Sequence, residues 1–163
     1  MNLPITSYIY SVEDKAYMLE KLAVLEKGIF SLKKSFEEQV QEYFSLPVAE
    51  ALLRSASRAQ ISSTNPELIQ KFLKDQQASI KSLRVVVLRV AFIPSNDVLR
   101  NISKWFDVYL QEKVVIEFVV DSSLIGGAAI EWNGRYLDYS LKKLLQEKMS
   151  NKHKKEKEVP VSV

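Results

Sequence analysis

The stretch of sequence that decides the fold is Val119-Val120-Asp121-Ser122-Ser123-Leu124-Ile125-Gly126-Gly127. Its aspartate can accept hydrogen bonds from the amides near Ser123 and so shape a tight turn after an apolar strand. Its glycine pair permits a β-bulge, or a close backbone approach at which a side chain would clash. We therefore predict that this stretch makes a turn and then enters a second strand.

The residues on either side of this turn predict an α/β module. Val85–Phe92 and Val114–Val120 are rich in β-branched residues and predict two strands, with a helix between them. Asn133-Gly134 supplies the positive φ angles of a hairpin turn between two further strands. A final helix that carries leucines is predicted to start near Asp138, with Asp138 or Ser140 as its cap.

Residues 1–82 show the periodicity of helices instead. Apolar side chains recur at alternating spacings of four and three along the first helix, which is the pattern of an amphipathic helix. These residues are Met18, Leu22, Leu25, Ile29, Leu32 and Phe36. Gly28 interrupts the pattern and indicates a break or a kink there. Asn65 followed by Pro66 predicts the start of a later helix.

The predicted fold class is α+β, with an N-terminal helical bundle followed by a small α/β module of strand, helix, strand, hairpin and helix. We expect the bundle over residues 1–82, the α/β module over residues 83–148, and a charged flexible tail over residues 149–163.

The composition excludes most catalytic chemistry. The chain of 163 residues has no cysteine, and its sole histidine, His153, lies among lysines near the C-terminal end. Ser123 has no histidine or lysine base near it in the sequence, and neither a dinucleotide-binding glycine motif nor a phosphate-binding loop is present. We therefore predict no catalytic residue, no cofactor site and no metal site.

The net charge of +3 is concentrated at the C-terminal end. Residues 151–163 contain four lysines and two glutamates, which leaves a charge of +1 for the rest of the chain. A nucleic-acid-binding protein concentrates basic residues on its folded surface, so this distribution argues against such a function. We see no leader-like segment, and the longest apolar runs fall far short of the ~20 residues that a membrane span requires.

The stretch around Asp121 resembles the C-terminal signature of the F-type ATP synthase delta subunit family, called the oligomycin-sensitivity-conferring protein in mitochondria. In that family, a strand ending in Val-Asp leads into x-Ser-Leu-Ile-Gly-Gly, an apolar strand and a hairpin, and Asp-x-Ser then opens a leucine-containing helix. The residues that carry the resemblance are Asp121, Ser123, Leu124, Ile125, Gly126, Gly127, Ile130, Asp138, Ser140 and Leu144. The N-terminal half is shorter than the family's six-helix bundle.

The resemblance implies a non-catalytic subunit without a cofactor, which joins the catalytic head of the ATP synthase to the peripheral stalk. The helical bundle would bind N-terminal segments of alpha subunits, and the α/β module would contact the stalk b subunits. The subunit would lie at the cytoplasmic face of the bacterial inner membrane, bound to it only through the complex and without nucleic acid. The candidate partner-helix contacts are Met18, Leu22, Leu25, Ile29 and Leu32, although an amphipathic helix normally buries such a face internally.

Two other functions stay open on the sequence. The first is a nucleic-acid-binding module with a basic tail, in which Trp105, Trp132 or Tyr136 would stack on bases. The second is a stalk subunit of a V/A-type rotary ATPase, which also joins a helical N-terminus to an α/β end. The Leu124-Ile125-Gly126-Gly127 sequence favours the delta family over the second alternative.

Overall fold

A computed structural model describes residues 3–30 and 34–157 of the chain, and it describes side chains as far as Met149. The fold class is α+β, as predicted, with an N-terminal helical region and a four-stranded mixed sheet. The elements, in chain order, are a short 3₁₀ helix Ile5–Tyr8, α1 Val12–Gly28, α2 Phe36–Tyr43, α3 Leu46–Arg58, α4 Pro66–Lys81, β1 Arg84–Val90, α5 Asn96–Leu110, β2 Val114–Val120, β3 Gly127–Trp132, β4 Arg135–Ser140 and α6 Leu141–Lys157.

The described residues fall into two compact units. The helical unit takes the residues up to Arg84 together with Leu99–Val115, and the sheet unit takes Val85–Val98 together with the residues from Ile116 onward. The sequence predicted one boundary near residue 83, whereas the contacts also assign most of α5 and the start of β2 to the helical unit. Val115 is fully buried in the same apolar cluster as the helix residues, and the Lys113 ammonium lies 5.0 Å from the centre of the Tyr10 ring.

The helical unit begins with α1, whose limits follow from local sequence signals. Ser11 accepts a hydrogen bond from the Asp14 amide at 3.1 Å, and the Asp14 carboxylate accepts one from the Ser11 amide at 3.1 Å. This reciprocal capping box satisfies amides that have no partner within the helix. The helix ends at Gly28, where the sequence indicated a break or a kink.

The helix α2 is a separate helix with its own N-cap, and not a continuation of α1. Ser35 and Glu38 form a second capping box, with bonds of 3.2 Å and 2.8 Å. The signal was present in the sequence as a serine followed three residues later by a glutamate. Leu32, one of the candidate partner contacts, lies in the stretch 31–33 and so outside the described residues.

Two sets of polar contacts join α1 to α4 in addition to the shared apolar core. The Lys15 ammonium donates to the carbonyls of Lys81 and Leu83 at 3.1 Å and 2.9 Å, so it satisfies acceptors at the C-terminal end of α4. At the other end of α1, the Glu26 carboxylate accepts hydrogen bonds from Gln70 and Gln77, both at 3.2 Å. The two helices are therefore held in register at both ends.

The sheet has the strand order β2-β1-β3-β4. The pairs β1–β3 and β3–β4 are antiparallel, with Leu88 opposite Ile130 in the first pair. Because the sheet is mixed, the remaining pair β2–β1 is parallel. Asn133 and Gly134 have φ angles of 49° and 72°, which are the positive angles predicted for the hairpin turn.

The strand β4 and the helix α6 differ from the sequence-based expectation. The last helix was predicted to start near Asp138, but Asp138 is opposite Ala129 in the sheet and the helix begins at Leu141. Pairing with β3 therefore extends the strand by three residues. The helix then continues to Lys157, through much of the segment for which the sequence suggested a flexible tail.

Candidate functional site

The loop between β2 and β3 contains the stretch with which the sequence analysis began, and Asp121 organises it. The Asp121 carboxylate accepts a hydrogen bond from the Ser123 amide at 2.9 Å, and the Asp121 carbonyl accepts one from the Leu124 amide at 3.1 Å. The Asp121 amide donates to the Val90 carbonyl at 2.9 Å, which attaches the loop to β1. The hydrogen bonds from the Ser123 side chain and then its amide hold the pKa of the Asp121 carboxyl below its usual value.

The two glycines at the end of the loop serve different purposes. Gly127 has a φ of +77°, and a Cβ there would lie 2.5 Å from the Tyr139 carbonyl oxygen. At Gly126 a Cβ would meet only the Leu141 side chain, at 3.9 Å, and the Gly126 carbonyl accepts a hydrogen bond from the Leu141 amide at 2.9 Å. The close approach predicted for the pair is thus required at Gly127.

A second hydrogen-bonded turn connects β4 to α6. The Asp138 carboxylate accepts a hydrogen bond from the Ser140 amide at 2.8 Å, and the Ser140 hydroxyl accepts one from the Lys143 amide at 3.2 Å. Ser140 is therefore the N-cap of α6, and Asp138 orients it from the strand. The bonds from the Ser140 side chain and amide hold the pKa of the Asp138 carboxyl below its usual value.

These contacts assign most of the signature residues to local structure. Ser140 is almost fully buried, Leu124 is buried and Ile130 is half-buried, whereas Ile125 and Leu144 are exposed. The Asp121 and Asp138 carboxylates each accept a hydrogen bond from the amide of a serine two residues further on. Among the side chains that the structure describes, in residues 3–30 and 34–149, no group of three acidic, histidine or cysteine residues is placed to hold a metal ion.

The candidate contacts on α1 lie mostly inside the helical unit. Met18, Leu22 and Leu25 have exposed fractions of 4%, 0% and 0%, and Ile29 is half-buried. These residues therefore form the interior of the bundle. The large apolar residues of the helical unit that are exposed among the described residues are Leu3, Tyr17, Val24, Phe30, Leu46, Leu68, Trp105, Val108 and Tyr109.

The sequence did not indicate this exposed set, because the apolar periodicity of α1 is strongest at the residues that are buried, such as Leu22 and Leu25. Tyr17 and Val24 lie seven residues apart on α1, a spacing that places them on one face of the helix, beside the buried one. Their exposed fractions are 54% and 40%. Trp105, one of the residues proposed for base stacking, stacks on Tyr109 with ring centres 5.0 Å apart.

The sheet unit exposes a second apolar set, on α6. Leu141, Leu144, Leu145 and Met149 have exposed fractions of 43%, 50%, 45% and 63%. Their spacing of three and four residues puts them on one face of the helix. The sequence named only Leu144 among the four as a signature residue.

The two exposed apolar sets, one on each unit, are surfaces that the described part of the chain leaves uncovered. Such surfaces are typical of sites at which other proteins bind. No helix among the described residues is both long enough and apolar enough to cross a membrane.

Comparison with protein families gives one result that bears on these surfaces. The family model described as ATP synthase delta (OSCP) subunit matches residues 31–152, which is most of the chain. A search of curated proteins finds no match. The matched range includes the loop at Asp121, the glycine pair, the Ser140 cap and the first turns of α6. The chain therefore belongs to the ATP synthase delta (OSCP) subunit family.

Proposed function

We propose that this chain joins the catalytic head of an F-type ATP synthase to the stalk b subunits. Membership of the delta family makes it a peripheral-stalk subunit in general terms, with a structural and not a catalytic role. The more detailed proposal is that the helical unit binds N-terminal segments of alpha subunits and the sheet unit contacts the b subunits. In this way the subunit supports proton-coupled ATP synthesis.

The observation that carries the proposal is the extent of the family match. Residues 31–152 include α2, α3 and α4 of the helical unit as well as all four strands of the sheet unit. A linker needs two partner surfaces, and each unit has an exposed apolar set of its own. The match to the delta family favours the F-type complex over the V/A-type stalk subunit that the sequence also allowed.

The demands on such a linker agree with the hydrogen bonds in the sheet unit. A stalk resists the torque of the rotor, so its joints need durable packing more than reactive groups. Each turn around the Asp121 loop and the Ser140 cap is closed by backbone and side-chain hydrogen bonds. We place the subunit at the cytoplasmic face of the bacterial inner membrane, attached through the complex.

The first experiment tests the association itself. A tagged full-length chain, expressed in its own cells, should co-purify with alpha and b subunits. Membranes from cells that lack the chain should hydrolyse ATP without pumping protons, and the purified chain should restore pumping. If the tagged chain purifies without ATP synthase subunits, the proposed function is wrong.

A second experiment assigns the alpha contact to the helical unit. Val24→Glu puts a charge on the exposed apolar face of α1, and Lys27→Glu changes an exposed charge on the same helix as a matched control. We expect the first substitution to weaken binding to an alpha N-terminal peptide by about tenfold or more, as is usual when an interface anchor is lost. Binding to b should be unchanged. Equal effects of the two substitutions would contradict this assignment.

A further inference from the structure

The strand β4 lies at an edge of the sheet, and one face of the sheet stays apolar up to that edge. Leu88 of β1, Ile130 of β3 and Leu137 of β4 lie side by side in one row across the sheet. The exposed fraction rises along this row from 4% at Leu88 to 47% at Leu137, with Ile130 half-buried between them. Tyr139, on the same face of β4, is 59% exposed. The described residues therefore leave this face uncovered at the edge.

The backbone of β4 is open on its outer side within the part of the chain that the structure describes, since β3 is its only pairing strand there. The Leu141 amide donates to the Gly126 carbonyl at 2.9 Å, which continues the β3–β4 ladder past its last pair. Bonded and non-bonded pairs alternate along an antiparallel ladder. The backbone N–H and C=O groups of Leu137 therefore face β3, and those of Tyr136 and Asp138 face the open edge.

This open edge is short and has defined ends. Ser140 is not part of it, because its amide already donates to the Asp138 carboxylate at 2.8 Å. At the other end, Arg135 follows directly on the hairpin turn. An open edge is a template for another strand, and proteins commonly block it with prolines, lysines or bulges. The sequence of β4 contains no proline and no lysine, so the strand lacks two of these protections.

The side chains of β4 match those of a second copy of β4 in one register. Two such strands can pair antiparallel with Leu137 opposite Leu137, at a non-hydrogen-bonded position where opposite side chains are closest. Tyr136 of each copy then lies opposite Asp138 of the other, and the two exchange the backbone hydrogen bonds that the open edge has available. Arg135 lies opposite Tyr139, so a guanidinium meets an aromatic ring, which is an attractive contact.

The neighbouring registers are less favourable. A pairing centred one residue later puts Asp138 opposite Asp138, and like charges directly opposite each other are destabilising. That register also needs the Ser140 amide, which is already bonded. A pairing centred one residue earlier puts Tyr136 opposite Tyr136 and extends into the hairpin turn, so fewer residues can pair. Side chains and backbone therefore favour the register centred on Leu137.

We propose that two copies of this chain associate edge to edge through β4, antiparallel and centred on Leu137. The two sheets then join into one, with their apolar faces on the same side. A second copy fits better than an unrelated extended segment, because β4 itself supplies a matching partner for its own exposed side chains. The inference goes beyond the proposed function and does not depend on it. Because the interface is small, the dimer is weak and depends on concentration.

The first experiment measures the oligomeric state of the full-length chain. In sedimentation equilibrium between about 10 μM and 1 mM, we expect the average mass to rise from that of a monomer toward that of a dimer. Leu137→Lys puts two ammonium groups opposite each other and should weaken the dimer about tenfold or more. Ile125→Lys makes the same change at an exposed residue of the sheet unit outside β4 and should leave the dimer unchanged. Circular dichroism and thermal unfolding show whether each variant is folded.

A second experiment tests the register. Leu137→Glu should also be monomeric by itself, whereas an equimolar mixture of Leu137→Glu and Leu137→Lys should form a dimer again, because opposite charges then face each other. The chain has no cysteine, so Leu137→Cys introduces a single thiol. Opposite residues at a non-hydrogen-bonded position are close enough for a disulfide. We expect Leu137→Cys, but not Ile125→Cys, to form a covalent dimer under a mild oxidant.

The possible results decide between this inference and its alternatives. A chain that stays monomeric up to about 1 mM overturns the inference. A dimer that a folded Leu137→Lys variant leaves intact also overturns it, because another surface, such as the exposed face of α6, then forms the contact. If Leu137→Lys does not fold, the cross-linking comparison decides. A charge-swapped mixture that stays monomeric, or equal cross-linking at positions 137 and 125, overturns the pairing centred on Leu137. Co-purification with ATP synthase subunits is a separate measurement, so the two proposals can fail independently.

Discussion

Gly127 offers the sharpest test of how the loop between β2 and β3 is built. Replacing it with alanine has two separate costs. The residue has a φ of +77°, a region that costs an L-amino acid about 1–2 kcal/mol. The new Cβ would also lie 2.5 Å from the Tyr139 carbonyl oxygen and 3.1 Å from the Ser140 Cα. These are backbone atoms of the paired strand and cannot rotate away.

The two costs add to a substantial loss of stability. Forcing an extra methyl group into a packed site costs about 1–3 kcal/mol, so the total for Gly127→Ala is about 2–5 kcal/mol. For a chain of this size, each kcal/mol lowers the melting temperature by about 2–4 °C. We therefore expect Gly127→Ala to lower the melting temperature of the chain by roughly 4–20 °C.

Two other glycines provide matched controls for this substitution. Gly134 has a φ of +72°, but no atom lies within 4 Å of the position that a Cβ would take, so alanine there carries only the conformational cost of about 1–2 kcal/mol. At Gly126, a Cβ would make an ordinary 3.9 Å contact, and alanine should change stability by less than about 1 kcal/mol. The measurement is urea or thermal unfolding followed by circular dichroism. Equal losses at Gly127 and Gly134 would refute the steric part of the reasoning, and an unchanged Gly127→Ala protein would refute all of it.

Three further predictions concern caps and charges. Ser11→Ala should lower the free energy of unfolding in urea by about 1 kcal/mol because it removes the cap of α1. Ser45→Ala should lower it less, because the Ser45 side chain makes no cap hydrogen bond. Equal losses for the two variants would contradict this prediction. Lys15→Met should lower the free energy of unfolding by about 1–3 kcal/mol because it leaves two carbonyls at the end of α4 without their charged donor. Lys15→Arg should recover part of this loss. An unchanged unfolding midpoint for Lys15→Met would show that Lys15 does not stabilise the end of α4. Asp121 and Asp138 have lowered pKa values, so their contribution to stability is present above the unfolded pKa near 4 and is lost as the pH falls through the folded values. The double Asn variant should therefore show a flatter decline in melting temperature at acid pH than the parent chain, and parallel curves would be the contrary result.

Much of the fold could be predicted from local sequence signals. The strand Val114–Val120 was predicted with the bounds that the structure has, because a run of β-branched residues leaves few alternatives to a buried strand. Asn133-Gly134 predicted the hairpin turn through its tolerance of positive φ angles. Ser11 predicted the start of α1, and Gly28, for which the sequence indicated a break or a kink, is the last residue of the helix. At each of these positions, the local structure depends on residues that are close in the sequence or on the backbone conformation that the residue itself prefers.

Features that depend on distant residues could not be predicted in this way. Asp138 is a good helix cap by composition, but pairing with Ala129 keeps it in a strand and moves the cap to Ser140. The grouping of Leu99–Val115 with the helices depends on the cluster around Val115, which periodicity does not reveal. Burial of Met18 likewise depends on the other helices of the unit. The turn after β2 could therefore be predicted from the sequence, while the exposed apolar surfaces became visible only in the structure.

The hydrogen bond between the Leu141 amide and the Gly126 carbonyl has a mechanical consequence. Tension applied to α6 reaches the loop between β2 and β3 through this bond as well as through the covalent chain. At the other end of that loop, the Asp121 amide donates a hydrogen bond to the Val90 carbonyl of β1. Because β1 is an inner strand, with β2 on one side and β3 on the other, the load spreads into two ladders of backbone bonds. The covalent chain leads from α6 into β4, which is an edge strand, so this hydrogen bond gives a second route by which load reaches an inner strand of the sheet.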